Sequence, residues 1–169
     1  MSFAVEQATL ADAADMAALH YLSHTKSFAA FASAEFVATR KLDTYLSQWT
    51  DSLRTDKPGA RAWVARANGA VVGIVRVYPM PEQGLAQLGG MHVHPDQQGR
   101  GVGRALMMVA EAFIRESGYR RCVLGVVEAN VRARRLYDGM GWHAIETHPV
   151  GVEGVPYCVY EKSFGASPA

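Results

Sequence analysis

Two kinds of side chain are scarce or scattered in this chain, and each absence removes a class of site. Only two cysteines are present, which excludes the disulfide framework of a small secreted protein. Both lie beside apolar residues, so Cys122 and Cys158 are predicted to be inert core side chains. Neither cysteine nor histidine recurs at the spacing of a zinc site, and we therefore expect no bound metal.

Net charge of one sign and long apolar segments are also missing. The formal net charge is +1, so bulk charge predicts attraction neither to nucleic acid nor to a membrane. No apolar run approaches about 18 residues, and no charged-then-apolar leader opens the chain. We expect a cytoplasmic protein with no nucleic-acid and no membrane partner. The 169 residues suit one domain, 1–169, with a frayed tail at 165–169.

The most informative segment that is present is glycine-rich, QGRGVGR at residues 98–104. It follows an apolar run and precedes an amphipathic run that starts at Val102, which predicts strand, turn and helix in that order. Glycine permits positive φ, and the first amides of a helix bind anions. Because Arg100 and Arg104 add positive charge, the loop is predicted to bind a phosphate or pyrophosphate.

The spacing within this loop excludes two familiar phosphate motifs. A Walker A loop needs Lys followed by Ser or Thr, and none follows these glycines. A dinucleotide fingerprint needs G-x-G-x-x-G, whereas the glycines here run G-x-G-x-G. The pattern that fits is Q-x-x-G-x-G, at Gln98, Gly101 and Gly103. A glycine turn that only connects two elements is the structural alternative.

A second motif, N-x-x-A-x-x-L-Y, runs from Asn130 to Tyr137 and is followed by Gly139, Gly141 and Trp142. Seven residues are nearly two helical turns, so Asn130 and Tyr137 share one helix face and can point into the same cleft. Taken singly, Asn130 is a favoured N-cap and Tyr137 is typical of a half-buried core residue. Together they predict a ligand-facing pair.

Hydrophobic periodicity predicts the order β-α-α-β-β-β-α-β-α-β-β. A capping box at residues 9–12 starts a first helix that runs to about Leu22, and an apolar stripe of Leu42, Leu46, Trp49 and Leu53 marks a second helix over 33–53. Asn68-Gly69 predicts a tight hairpin, which makes an all-parallel sheet unfavourable. The predicted fold is an α/β domain with a mixed sheet. Its predicted strands are 3–8, 62–65, 71–78, 85–93, 122–127, 142–147 and 156–164. A third helix is predicted to start at Val102 and to end before Gly118, and a fourth to start at Asn130 and to end near Met140.

Taken together, the two motifs resemble those that bind acyl-CoA in the GNAT superfamily of N-acetyltransferases. The resemblance covers most of the chain and is specific over residues 91–142. It implies a mixed, mostly antiparallel sheet that is flanked by helices and splayed between its fourth and fifth strands, with acetyl-CoA in that slot. The cofactor-binding residues that it implies are Met91, Val93, Gln98, Gly99, Arg100, Gly101, Gly103, Arg104, Asn130 and Arg134.

The resemblance also implies direct acetyl transfer to the primary amine of a small molecule or a protein. Tyr137 would protonate the leaving thiolate, and the Val93 N–H would stabilise the developing oxyanion. Many relatives carry an acidic residue near the position of Gln87, and glutamine is not a base at neutral pH. His92 and Glu128 are the remaining candidates for the general base, and alternation along the strand leaves open which face His92 takes.

Two other functional classes fit parts of the sequence. An acyl-CoA-binding regulatory module without catalysis is compatible with Gln87, although Tyr137 argues against it. A nucleic-acid-binding domain would use the arginines of residues 100–135, but no recognition-helix or RNA-module motif accompanies them. The acceptor and the oligomeric state are open, with a homodimer as the candidate assembly.

Overall fold

The computed structural model of the chain describes residues 2–54 and 57–165. Within these ranges the chain forms a seven-stranded sheet with the spatial order β1-β2-β3-β4-β5-β7-β6. The pair β4 and β5 is parallel, and the other neighbouring pairs are antiparallel. The strands are β1 (Ala4–Gln7), β2 (Arg61–Ala67), β3 (Ala70–Pro79), β4 (Leu85–Val93), β5 (Arg121–Val127), β6 (His143–His148) and β7 (Tyr157–Ser163).

Helices cover both faces of this sheet. On one face α4 packs against β2, β3 and β4, and on the other face α1 packs against β3 and β4 with α3 beside it. Each face buries its own apolar cluster, because both faces of the central strands carry apolar side chains. The helices of the described residues are α1 (Ala13–Leu22), α2 (Ala34–Ala38), α3 (Leu42–Arg54), α4 (Val102–Glu116) and α5 (Val131–Asp138).

Two local sequence signals produce the predicted structures. At the N-terminal side of α1 the backbone N–H of Thr9 donates to the carboxylate of Asp12 at 2.6 Å, as in a capping box. Between β2 and β3 both turn residues have positive φ, +50° at Asn68 and +80° at Gly69. That is the requirement of a type I′ hairpin turn, so this prediction is confirmed.

The predicted second helix over 33–53 is wrong in its continuity. α2 ends at Ala38, and the next hydrogen bond, from the Arg40 N–H to the Val37 carbonyl at 3.3 Å, spans three residues instead of four, which ends the α-helical pattern. The chain resumes at Leu42 as α3, which runs to Arg54. Residues 55–56 lie outside the described residues. The predicted frayed tail also lies outside them beyond Gly165.

The predicted apolar stripe of α3 is also partly wrong. Leu42 and Leu46 are 44% and 39% exposed, whereas Tyr45 is 4% and Trp49 2% exposed. The buried face is therefore rotated by one residue, because the two large aromatic rings at i and i+4 bury more apolar area against α1 than the leucines would.

The sheet separates between its two parallel strands. Pairing of β4 with β5 covers three positions, from Leu85 with Arg121 to Gln87 with Val123. β4 continues to Val93, whereas β5 continues along β7. The predicted splay between the fourth and fifth strands is therefore confirmed, and it leaves a gap lined by the backbone of β4. No helix in the described part of the chain has the length and apolar character needed to cross a membrane.

Candidate active site

A cleft of about 1240 Å³ occupies the gap between β4 and β5. It reaches both faces of the sheet, since Met91 and Val93 pack toward the α4 side while His92 contacts the end of α1. Alternation along β4 therefore places both sets of side chains on the cleft. The predicted site residues that line it are Met91, His92, Val93, Gln98, Gly99, Gly101, Gly103, Arg104, Asn130 and Tyr137.

The glycine loop enters α4 in a conformation that an L side chain rarely adopts. Gly99 and Gly101 have φ of +75° and +87°, and Gly101 directly precedes the first residue of the helix. A Cβ at either position would meet no atom within 4 Å, so the loop surface is open toward the cleft. Unpaired amides of the first turn of α4 add a site of positive potential there.

Gly103 has a different role from the other two glycines. Its backbone is helical, and a Cβ would approach Leu136 Cδ2 and Met91 Cε at 3.3 Å each. The missing side chain therefore lets α4 pack closely against α5 and β4. This contact joins the two sequence motifs at the wall of the cleft.

Two predicted basic residues do not line the cleft. Arg100 is exposed on the loop, and Arg134 donates to the hydroxyl of Tyr160 at 3.2 Å and to the carbonyl of Glu128 at 3.1 Å. Arg132 lines the cleft instead. Two positions along a helix turn the side chain through about 200°, so Arg132 and Arg134 lie on nearly opposite faces of α5.

Asn130 and Tyr137 both face the cleft, as their spacing predicts. The Oδ1 of Asn130 accepts from the Ala133 N–H at 3.2 Å, so this residue caps α5 while lining the cleft. Tyr137 is 5% exposed, and its ring lies 5.8 Å from that of Tyr160. Burial raises the pKa of the Tyr137 phenol well above 10, which keeps it a proton donor at neutral pH.

The two candidate bases differ in position. Glu128 is exposed and is not among the residues that line the cleft. His92 is buried and lines it, and its Nδ1 lies 2.9 Å from the Ser23 hydroxyl. Gln87 lines the same cleft and supplies an amide where a carboxylate would be a base.

The fold brings His92 together with His20 and His24, and we call these three residues the histidine cluster. One ring nitrogen of each lies within 4.8 Å of the others, and all three line the cleft. Sequence reasoning missed the cluster, although the four-residue spacing of His20 and His24 was a signal. That spacing spans the end of α1 and a π-helical turn at Ser23–Ser27.

Burial and neighbouring positive charge keep the histidine cluster neutral. Burial lowers the pKa of His20 from 6.5 to about 3 and that of His24 to about 4. Burial, the other two histidines and the guanidinium of Arg76 lower the pKa of His92 well below 6.5. A neutral imidazole has a free lone pair, so a ring of this cluster is able to accept a proton.

Three imidazoles are a common zinc donor set, and the spacing of histidines in the sequence did not predict this cluster. The surroundings of the three rings nevertheless oppose a bound cation. The Nε1–H of Trp49 donates to Nδ1 of His20 at 3.2 Å. The proton of neutral His20 is therefore on Nε2, which leaves this ring no free lone pair. The positive charges of Arg40 and Arg76 oppose a dication as they oppose imidazolium.

Comparison with known proteins assigns the chain to a family. The model of the acetyltransferase (GNAT) family matches residues 22–142, which include both motifs and the histidine cluster except His20. The chain belongs to the GNAT family. Acetyl-CoA is the typical co-substrate of GNAT enzymes.

Curated GNAT relatives match this chain over part of their length. The N-acetylaspartate synthetase of Xenopus tropicalis is 31% identical over 111 residues, which are 64% of this chain and 40% of that protein. The mouse (Mus musculus) N-acetyltransferase 8B is 35% identical over 112 residues, 64% of this chain and 47% of that protein. The chain thus spans less than half the length of these two relatives.

Solved GNAT structures share the fold over nearly the whole chain. The PaiA N-acetyltransferase of Thermoplasma acidophilum, in complex with coenzyme A, has a TM-score of 0.83 at 17% identity and covers 97% of this chain and 100% of its own. The ribosomal-protein-alanine N-acetyltransferase of Brucella melitensis has a TM-score of 0.78 at 22% identity, covering 95% and 99%. The predicted GNAT fold is confirmed.

Proposed function

We propose that this protein is an acetyl-CoA-dependent N-acetyltransferase that moves the acetyl group directly to a primary amine of a small molecule or a protein. The observation that carries the proposal is the cleft between β4 and β5, which joins an open glycine loop at one end to a buried, protonated Tyr137. A gap with an anion-binding end fits a long thioester whose pantetheine arm is joined to a pyrophosphate.

The glycine loop and Arg104 would hold the pyrophosphate, with Gln98 supporting the loop. Openness at Gly99 and Gly101 supports this assignment, because nothing in the described residues fills the space where a Cβ would point. We add Arg132 to the basic residues of this end and remove Arg134 and Arg100, since only the first of the three lines the cleft.

The backbone of β4 would bind the pantetheine arm and the reacting carbonyl. The His94 N–H donates to the Val72 carbonyl at 2.8 Å. In an antiparallel ladder the neighbouring Val93 therefore directs its N–H away from β3, into the gap. An N–H in that position would stabilise the oxyanion that develops on the thioester carbonyl.

Proton transfers complete the reaction. His92 would take a proton from the acceptor ammonium, directly or through a water, so that the neutral amine attacks the thioester carbonyl carbon. The new C–N bond forms as the C–S bond breaks, Tyr137 would give its proton to the leaving thiolate, and the new amide nitrogen would return its surplus proton to the Tyr137 oxygen. The amine then carries the acetyl group, and free coenzyme A is released.

A non-catalytic acyl-CoA-binding module is the second candidate, favoured by the amide of Gln87 in the cleft. Thiol release from acetyl-CoA with a panel of amines distinguishes the two functions. An enzyme releases free thiol only when a suitable amine is added, whereas a binding module is stabilised by acetyl-CoA without turnover. At 100 times its dissociation constant the ligand should add about 2.7 kcal/mol to the free energy of unfolding. An unchanged melting temperature would contradict both functions.

We also propose that the protein acts in the cytoplasm. Both cysteines are free and buried, which suits a reducing compartment such as the cytoplasm. We further propose that residues 1–169 form one domain and that the protein is a homodimer. Sedimentation of the purified protein tests the dimer.

A further inference from the structure

The part of the cleft beside the histidine cluster, which we call the acceptor end, has an aromatic wall. Phe28 and Phe31 follow the π-helical turn at Ser23–Ser27, and both line the cleft. Their ring centres are 5.1 Å apart, and the Phe28 ring lies 5.7 Å from that of His92. Two apolar rings therefore lie next to the candidate base.

The loop between β6 and β7, residues 149–156, supplies a second apolar wall. Val150 and Val152 are 68% and 84% exposed, and both line the cleft. The Ser33 N–H donates to the Glu153 carbonyl at 3.0 Å, so the loop reaches from the β7 side of the cleft to the N-terminal end of α2. Neighbouring apolar side chains exposed at the rim of a groove are typical of a surface that a ligand covers.

Charge along the cleft differs between its two ends. The cationic side chains of Arg104 and Arg132 line it at the glycine-loop end, where Arg104 lies in the first turn of α4 and Arg132 contacts Gln98. Among the described residues that line the cleft, Glu153 has the only carboxylate, and no nitrogen of a described Lys, Arg or His lies within 4.0 Å of it. The acceptor end therefore attracts an ammonium group and repels a carboxylate.

The interior of the acceptor end favours the neutral form of a bound amine. Burial and the positive charges of Arg76 and Arg40, which lie outside the cleft lining, lower the pKa of His20. The same two causes would lower the pKa of an ammonium beside the histidine cluster. An amine attracted by Glu153 at the rim would therefore lose its proton more readily beside His92, and only the neutral amine attacks a thioester.

One polar atom at this end lacks a partner. The Oγ of Ser27 is buried, makes no hydrogen bond to the described residues and belongs to a residue that lines the cleft. Ser27 comes four residues after Ser23, about one turn of a π-helix, and the Ser23 hydroxyl lies 2.9 Å from Nδ1 of His92. A buried hydroxyl without a partner is destabilising, so a ligand N–H that donates to Ser27 would supply the missing hydrogen bond.

We propose that the acceptor is a small primary amine on an apolar group and without a carboxylate. The apolar group would lie between the phenylalanine pair and the valines of the β6–β7 loop, and one N–H of the amine would donate to Ser27. This inference rests on the proposed acetyltransferase function and names its substrate class. A small molecule fits better than a protein chain, because a peptide backbone would bury amide groups against apolar walls that offer no hydrogen-bond partner.

Matched acceptors test the proposal directly. We would measure thiol release with phenethylamine and isoamylamine against ethylamine, and with L-phenylalaninol against L-phenylalanine. Each kcat/KM is expressed per neutral amine, so that differences in amine pKa do not enter. Phenethylamine and isoamylamine should exceed ethylamine by roughly 10- to 100-fold, the range for burial of one apolar side chain, and L-phenylalaninol should exceed L-phenylalanine severalfold. Equal values in the first set, or a preference for L-phenylalanine, would overturn the proposal.

Substitutions in the two walls assign the apolar preference to them. Phe31→Ala and Val152→Ser should each lower the ratio of phenethylamine to ethylamine by roughly 3- to 10-fold, through a higher KM for phenethylamine. Ile145→Ser is the matched control, because Ile145 is 53% exposed on β6 and does not line the cleft. A ratio that survives in both wall variants, or that falls in the control, contradicts the assignment.

Glu153→Gln tests the charge argument. It should raise kcat/KM for L-phenylalanine relative to L-phenylalaninol, because the repulsion of the substrate carboxylate is removed. Glu116→Gln is the control, since Glu116 is exposed at the end of α4 and does not line the cleft. The same ratio in the parent and in Glu153→Gln would overturn the role of this carboxylate.

Ser27→Ala separates a ligand contact from a structural role. It should lower kcat/KM for every amine by about 2- to 10-fold, the range of one hydrogen bond, and leave the melting temperature of the unliganded protein equal or higher. Thr25→Val should do the reverse, because the Thr25 hydroxyl donates to the Tyr21 carbonyl at 2.8 Å and does not line the cleft. A lower melting temperature with parental kcat/KM in Ser27→Ala would overturn the proposed contact.

Two further outcomes separate the possible failures. Acetylation of the peptide Phe-Ala-Ala-amide as efficiently as phenethylamine would overturn the small-molecule class. Thiol release at equal kcat/KM with every amine would leave the enzyme function standing and overturn the apolar acceptor site. Absence of thiol release with all of them, together with no stabilisation by acetyl-CoA, would overturn the proposed function itself.

Discussion

The guanidinium of Arg132 donates a hydrogen bond to the side-chain oxygen of Gln98, 34 positions away. The same amide donates through its nitrogen to the Val93 carbonyl at 3.3 Å. Gln98 therefore ties the end of β4 to α5, and its orientation is fixed at both ends. The two sequence motifs are parts of one structure whose contact lies at the mouth of the cleft.

Arg132→Ala should weaken acetyl-CoA binding roughly tenfold, because it removes a charge that faces the cleft and the support of Gln98. Arg134→Ala should leave affinity nearly unchanged, since that side chain binds Tyr160 and the Glu128 carbonyl. Isothermal titration of both variants with acetyl-CoA checks the difference. A larger loss in the Arg134 variant would reverse our assignment of the two residues.

Gly101→Asp should abolish acetyl-CoA binding, because a carboxylate would stand where we place the pyrophosphate. An aspartate at this positive φ also lowers the free energy of unfolding by about 1–2 kcal/mol, with or without ligand. Gly69→Asp is the matched control, since Gly69 has φ of +80°, equally open surroundings and a place in the β2–β3 hairpin. Comparable affinity in the two variants would remove the loop from the binding site.

Tyr137→Phe should lower kcat by about 10²- to 10⁴-fold, the usual contribution of a general acid, and leave acetyl-CoA affinity nearly unchanged. The hydroxyl helps only when the thiolate leaves, so its loss is seen in turnover at saturating substrates. Rapid-mixing kinetics show whether chemistry limits the rate. Parental turnover in a chemistry-limited assay would reduce Tyr137 to a packing residue.

His92→Gln should depress turnover most near neutral pH, and the loss should shrink at high pH, where the acceptor amine is already neutral. The pKa of His92 lies well below 6.5, so the parent should show no loss of rate from His92 protonation between pH 7 and 6. Glu128→Gln should give the parent's profile, because Glu128 does not line the cleft. If Glu128→Gln loses turnover near neutral pH while His92→Gln keeps the parent's profile, then Glu128 is the base.

Acid should destabilise the fold through the histidine cluster. In the unfolded chain a histidine has a pKa of about 6.5, whereas His20 and His24 have pKa values of about 3 and about 4 in the fold. Below pH 6.5 the unfolded state therefore binds protons that the folded state does not, and stability falls as pH falls. By pH 5 each lowered histidine costs about 2 kcal/mol.

Urea unfolding at pH 7.5 and pH 5.0 measures this loss. His24→Gln should reduce the difference between the two pH values by about 2 kcal/mol. His143→Gln serves as the control because His143 is exposed on β6, and it should keep the parent's difference. A difference that is the same in all three proteins would contradict the link between the cluster and acid sensitivity.

Local patterns in the sequence predicted the features that neighbours along the chain determine. Asn68-Gly69 specified its hairpin, the glycine loop preceded α4, and Asn130 capped α5, because each depends on backbone conformation within a few residues. The split of the sheet was expected from the family resemblance and was confirmed.

Features that depend on distant partners were missed or wrong. The buried face of α3 is the one that carries Tyr45 and Trp49, because these two rings pack against α1. Arg132 faces the cleft and Arg134 does not, because the packing of α5 against α4 fixes the rotation of α5 about its axis. The histidine cluster needed a strand residue to meet a helix end about 70 positions earlier, which no local pattern encodes.

The early end of pairing between β4 and β5 also has a consequence for motion. Past Gln87, the amides of β4 that point away from β3 have no strand to protect them from hydrogen exchange. A bound thioester would act as the missing neighbour and slow that exchange at Val93, so ligand would stiffen the sheet at its seam. Beyond Gln87 no pairing between β4 and β5 fixes the distance from β1–β4 to β5–β7, so a bound thioester would set the width of the site.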